Sequence, residues 1–157
     1  MVRSKPTVSR LFIGPSESLL LRIVPFDSTV KAELARGGVD PVRFEQEFTE
    51  EMLYRFTLRK QEAALDSAGA QVILTVTLRH VQPGVGSTGT FVALNAKTQR
   101  QTKVDVMDWN WRRPSKANVS TAHLMRDLSR ITAEEILKRI PPARPRPKEP
   151  PPPLQLL

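Results

Sequence analysis

Apolar positions along the chain fall into two patterns: short runs that are continuous or alternate, and longer stretches with an apolar residue every three or four positions. Leu19, Leu20, Leu21, Ile23 and Val24 form a run of the first kind closed by Pro25, which predicts a first strand covered on both faces. Residues 27–39 read as a connection, with a helical turn around 31–36. The period changes at Asp40, whose carboxylate can cap free amides ahead of Pro41, a residue suited to the first helical position. Phe44, Phe48, Met52 and Phe56 then recur every four residues, which predicts a helix from 40 to about 58. Its glutamates precede Arg55, Arg59 and Lys60, an order that suits the helix dipole. Past Leu58 two readings stand: the helix continues through Ala63, Ala64 and Leu65 to a stop at Gly69, or it breaks near Lys60.

Residues 72–81 are rich in β-branched side chains and alternate in their second half, as a strand does. A glycine-rich loop follows over 83–89, and strands are predicted at 90–96 and 103–111 around a polar turn at 97–101. Residues 120–140 form a second helix, with Leu124, Leu128, Ile131 and Ile136 on one arc and Pro141 and Pro142 as its stop. The order strand, helix, three strands, helix predicts a two-layer α+β fold: a mixed four-stranded sheet with two main helices packed on one face.

A chain of 157 residues suits one domain with one core. Eight of the fourteen prolines fall at 141–153, which bars helix and central strand from the end of the chain. The boundaries expected are therefore a flexible arm at 1–18, with Leu11, Phe12 and Ile13 as its one sticky point, a domain at 19–140 and a proline-rich tail at 141–157. The formal charge of +8 is shared with the ends: arm and tail carry +2 each, which leaves +4 on the body and weakens the case for a dedicated basic groove. No cysteine is present, so thiol catalysis, disulfides and cysteine metal sites are excluded. No run is long and apolar enough for a membrane span, and residues 1–10 carry no signal-like stretch, so an exported form would need a targeting segment upstream of Met1.

Each candidate for chemistry has a plainer reading. Gly84, Gly86 and Gly89 match GxGxxG, yet a strand follows where the phosphate-binding fingerprint needs a helix, so a hairpin loop is the better reading. His80 and His123 lie far apart in sequence with no ligand-spacing pattern around them, so no metal site or cofactor is expected. The carboxylates of Glu45, Glu47, Glu50 and Glu51 read as a solvated helix face rather than an acid–base pair. No nucleophile elbow is present. The expectation is a protein that is not an enzyme.

The most unusual stretch holds Trp109, Trp111, Arg112 and Arg113. Both tryptophans of the chain fall two apart, on one side of any strand. Indoles followed by guanidiniums suit a binding surface for a neighbouring subunit, a lipid headgroup layer or nucleobases. The structural alternative is that Trp109 closes the edge of the core and Trp111 flanks it. The tail can adopt polyproline II and dock in an aromatic groove, or serve as a solvated spacer.

Leu21, Arg22, Ile23, Val24, Pro25 and Phe26, then a helix, then Gly69, Ala70, Gln71, Val72, Ile73 and Leu74 resemble a pattern of bacterial envelope proteins, in which a strand ends in a V-L-P-F-like motif and a G-A-D-x-V-L-like motif opens the next. The layout over 19–140 is similar to the anticodon-binding-domain-like α/β module of the TolB amino-terminal domain and of curli-secretion-type and Pel-export-type outer-membrane lipoproteins. Gln71 stands where aspartate is usual, and the chain has no lipobox cysteine. The resemblance implies a non-catalytic periplasmic scaffold or ring subunit, associated with the outer membrane, whose partners are further copies of itself or envelope-complex subunits, with membrane-surface contact. The alternative is a small basic domain, in the cytoplasm, that binds single-stranded nucleic acid.

Overall fold

The computed structural model describes residues 11–59, 63–64, 69–84, 89–113 and 121–142. The elements in order are β1 (Leu19–Ile23), α1 (Ser28–Arg36), α2 (Pro41–Leu58), β2 (Ala63–Ala64), β3 (Val72–Gln82), β4 (Thr90–Gln99), β5 (Val104–Arg113) and α3 (Thr121–Arg139). The strands form one mixed sheet in the order β2-β1-β3-β4-β5. β1 runs parallel to β2 and β3, and the β3–β4–β5 meander is antiparallel. The four long strands and two long helices expected from periodicity are all present. To them the structure adds the two-residue β2 and the nine-residue α1.

The helix boundaries follow from their caps. Asp27 accepts from the Val30 amide and starts α1 inside the segment expected to be a connection. Asp40 accepts from the Val42 amide and starts α2, which ends at Leu58, so Ala63 and Ala64 are strand rather than helix. Gly69, at φ 91°, takes the left-handed turn that leads toward β3. The turn between β4 and β5 is shorter than its polar sequence suggests, because Lys97 to Gln99 remain paired with β5.

The core sits between one face of the sheet and the helices. Phe44, Phe48, Met52 and Phe56 of α2 are wholly buried, and with Met125, Leu128 and Ile136 of α3 they join Leu74, Val76, Leu94 and Met107 of the sheet in one cluster. Burial of each phenylalanine contributes about 1.5–3 kcal/mol. No described helix covers the other face of the sheet. Arg22 is exposed and Leu20 half-buried, so β1 is covered on one face and not on two: the helices all occupy the opposite side.

Two corrections concern the ends of the domain. Leu11 and Ile13, assigned to the flexible arm, are wholly buried core residues. The Leu11 amide donates to the Arg139 carbonyl at 3.2 Å, and Ile13 bridges to Pro142. The folded unit thus includes 11–18 and reaches Pro142. The rest of the predicted arm and tail lies outside the described residues.

The resemblance motifs have local work. The Phe26 ring packs 5.7 Å from Phe44, and its amide donates to the Glu45 carboxylate at 2.8 Å, which ties the end of β1 to the first turn of α2. Gln71 accepts from the Ser18 amide at 2.9 Å, and its own amide donates to Ser18 Oγ at 3.2 Å. This reciprocal pair sets the parallel start of β1 and β3.

Candidate functional site

The best-furnished surface is the β5 side of the sheet. β4 and β5 pair without a break from Thr90 with Arg113 to Gln99 with Val104. β5 then ends the sheet, so its far side carries backbone donors and acceptors that no described strand meets. The two edges of the sheet differ sharply. β2 presents two residues and β5 presents ten, with neither proline nor bulge among them.

Cross-strand partners share a face of the sheet. Asp105, Met107, Trp109 and Trp111 oppose Thr98, Ala96, Leu94 and Val92, all buried, and so lie on the helix side. Val104, Val106, Asp108, Asn110 and Arg112 lie on the open side, where Val104 and Val106 are 53% and 38% exposed.

The four residues singled out from the sequence are divided by this geometry. Trp109 and Trp111 come together: their rings stack at 6.3 Å and 24°, half-buried at the rim of the core. The Arg139 guanidinium of α3 lies 4.2 Å from the Trp109 ring centre, a cation–π contact that ties α3 to the edge strand. Arg113 follows on the helix side, exposed. Arg112 turns the other way and stacks 4.9 Å from the Phe91 ring on the open face. A single four-residue patch is therefore not formed, because alternation along a strand separates neighbouring positions. Sequence reading missed Arg139, and it missed the edge position of Asp105, Val104 and Val106. The signal available was the order of charge, acids before arginines, along 104–113.

Elsewhere several charged groups are engaged in structure. Glu33, 4% exposed, meets His80 Nδ1 at 3.1 Å. Arg43 pairs with Glu47 and Arg55 with Glu51 along α2, and Arg55 also reaches Glu134 of α3 at 3.2 Å. Arg100 donates through Nε and Nη2 to the Glu17 carboxylate, both at 2.9 Å, and Glu17 also accepts from the Gly14 amide. The Arg100 hydrogen bonds hold the Glu17 carboxyl below its ordinary range, and Glu17 raises the Arg100 guanidinium in turn. Burial lowers the Arg59 guanidinium, whose terminal nitrogens have no hydrogen-bond partner among the described residues. His123 lies on α3, but its side chain is outside the described residues. Among the described residues no three His, Cys, Asp or Glu side chains gather where a metal ion could be held, and no helix is long and apolar enough to cross a membrane.

No protein-family model matches the chain, and no curated protein matches it in sequence. Solved structures do show likeness in fold. One is a PelC dodecamer from Paraburkholderia phytofirmans, with a TM-score of 0.47 and 11% identity over 84% of this chain and 93% of that one. A second crystal form, of a point variant of the same dodecamer, gives 0.44 and 10% over the same shares. A crystal structure titled as an uncharacterized protein gives 0.39 and 12%, over 83% of this chain and 90% of that one. The likeness concerns the fold.

Proposed function

We propose that this chain is a non-catalytic assembly or export accessory module of the bacterial cell envelope, a scaffold or ring subunit that works through contacts at β5. The observation that carries the assembly reading is the edge strand itself. Ten residues end the sheet with no described strand on their far side, and two stacked indoles lie half-buried along the same rim. A neighbour placed there would satisfy the free backbone groups and bury the remaining indole surface. The envelope setting, periplasmic and associated with the outer membrane, is taken from the resemblance carried by Leu21 to Phe26 and Gly69 to Leu74.

A non-catalytic role agrees with the side-chain partners. His80 is held by Glu33, Glu45 by the Phe26 amide and Glu17 by Arg100, so these groups serve the fold. The hollow bordered by Gln71, Gln99, Arg100 and Thr102 opens to solvent, and the described residues that line it include no thiol, imidazole or carboxylate. For single-stranded nucleic acid, stacking would require aromatics on the open face. There the described strands present Phe91, already covered by Arg112, while both indoles face the helices.

The test is the solution mass of the full chain by sedimentation equilibrium over a wide concentration range. Concentration-dependent association, lost on replacing Asn110 by proline at the edge without loss of helical signal, is expected. A chain that remains a monomer throughout and binds neither anionic vesicles nor isolated envelope subunits contradicts the reading.

A further inference from the structure

The distribution of charge along β5 identifies what the edge accepts. Asp105 and Asp108 occupy its first half, and Arg112 and Arg113 its end. Edges that are protected from pairing are short, bulged, broken by proline or charged along their length. β5 has none of the first three, and its charges are segregated by sign.

We infer that β5 pairs antiparallel with β5 of a second copy of this chain across a two-fold axis, joining two sheets into one with the helices on the same side. This rests on the assembly reading above and names its partner. Continuity of the helix layer requires odd-numbered positions to meet odd-numbered ones, since Asp105, Met107, Trp109, Trp111 and Arg113 all lie on the helix side. In the register centred on Trp109, Asp105 faces Arg113 of the second copy, Met107 faces Trp111, and Trp109 faces itself. The two-fold makes each charge pair occur twice. On the open side Val106 meets the aliphatic stem of Arg112 and Asp108 meets Asn110.

The other arrangements are worse. In-register parallel pairing sets each arginine and each aspartate against its own copy, and like charges directly opposite destabilise a sheet. An antiparallel register centred on Asp108 places two carboxylates face to face. Asp108 is in addition occupied by Asn95 Nδ2 at 2.6 Å and by Arg79 at 3.8 Å, so it is poorly placed to recruit a new arginine. Among the described residues Asp105 pairs with the exposed Lys103 at 3.6 Å, a weak surface contact, and acts on Arg100 through its charge alone, so it can exchange the lysine for a desolvated arginine. One consequence is structural: every closed assembly in which all β5 edges are paired contains an even number of chains.

The experiment is charge exchange in the full chain, read by sedimentation equilibrium. Asp105→Arg and Arg113→Asp each place like charges at both symmetric positions and should weaken self-association about tenfold. The double variant, with both changes in one chain, should restore it to near the original value, which loss of a merely structural side chain would not do. Because the chain has no cysteine, single-cysteine variants give a second readout that tolerates weakened association. A mixture of Asp105→Cys and Arg113→Cys chains should form a disulfide between the two variants, as cross-strand neighbours at about 4.5–5.5 Å can, and neither variant should do so alone. Association that ignores all three charge variants, or cross-links within each variant alone, overturns the antiparallel β5 pairing and leaves assembly through another surface. A chain that does not associate at all overturns the pairing and the assembly reading together.

Discussion

The Arg139 guanidinium of α3 sits 4.2 Å from the ring centre of Trp109 on β5. Helix α3 thereby reaches over the last strand of the sheet, and the same arginine donates to Glu135 Oε2 at 3.0 Å and to the Glu135 carbonyl. The cation is thus held by its own helix while it covers the indole, which orients Trp109 against Trp111. Replacing Arg139 by glutamine keeps much of the stem and removes the charge. We expect a loss of about 0.5–1 kcal/mol of stability, together with a reduced near-ultraviolet dichroism from the stacked indole pair, measured by denaturant titration of the purified chain.

Ile13 and Phe12 are neighbours with opposite environments. Ile13 is wholly buried and Phe12 is 47% exposed. Because residues 11–18 belong to the folded unit, Ile13→Ala should cost about 2–5 kcal/mol, and Phe12→Ala should stay within about 0.5 kcal/mol of the parent. Urea midpoints of the two variants check this. Equal, small effects would return the segment to an arm.

The Glu17–Arg100 pair fastens this N-terminal segment to the β4–β5 turn. Its hydrogen bonds depress the Glu17 carboxyl in the folded chain, against the opposing effect of partial burial. A carboxyl whose folded value is below its unfolded value near 4.5 contributes stability that is fully present above that value and is lost as the pH falls through the folded one. Glu17→Gln should therefore cost about 1–2 kcal/mol at neutral pH. The gap to the parent should hold down to about pH 5 and close progressively below the unfolded value. Thermal melts across that range give the measurement, and a gap independent of pH would contradict the assignment.

How much of this was legible in the sequence depends on which forces placed each residue. The four-residue spacing of Phe44, Phe48, Met52 and Phe56 is a local pattern with one solution, and α2 appears where the pattern starts and stops. The strands from Val72 onward are legible for the same reason. The spacing of Trp109 and Trp111 gives a shared face but not which face, because that depends on where α3 lies, a tertiary fact. Proximity in sequence groups Arg112 with them, and strand alternation undoes that grouping. Leu11 and Ile13 do not read as core in the sequence because three apolar residues are too few to show a period, and their burial depends on docking against the end of α3. The apolar run of β1 suggested cover on both faces. Leu20 is half-buried and Arg22 exposed on the open face, so continuous apolarity there reflects a central position between β2 and β3 rather than a second helical layer.

The central claim, that β5 is the edge through which copies of this chain associate, is tested most directly by residue-resolved amide hydrogen exchange on the unmodified full chain at low and high concentration. Alternate amides of β5 bond to β4 and should be protected at both. The intervening amides, which point away from β4, should exchange fast when dilute and slow when concentrated, with no comparable change on α2 or on β3. Exchange along β5 that does not vary with concentration, in a chain that associates or in one that does not, would contradict the account.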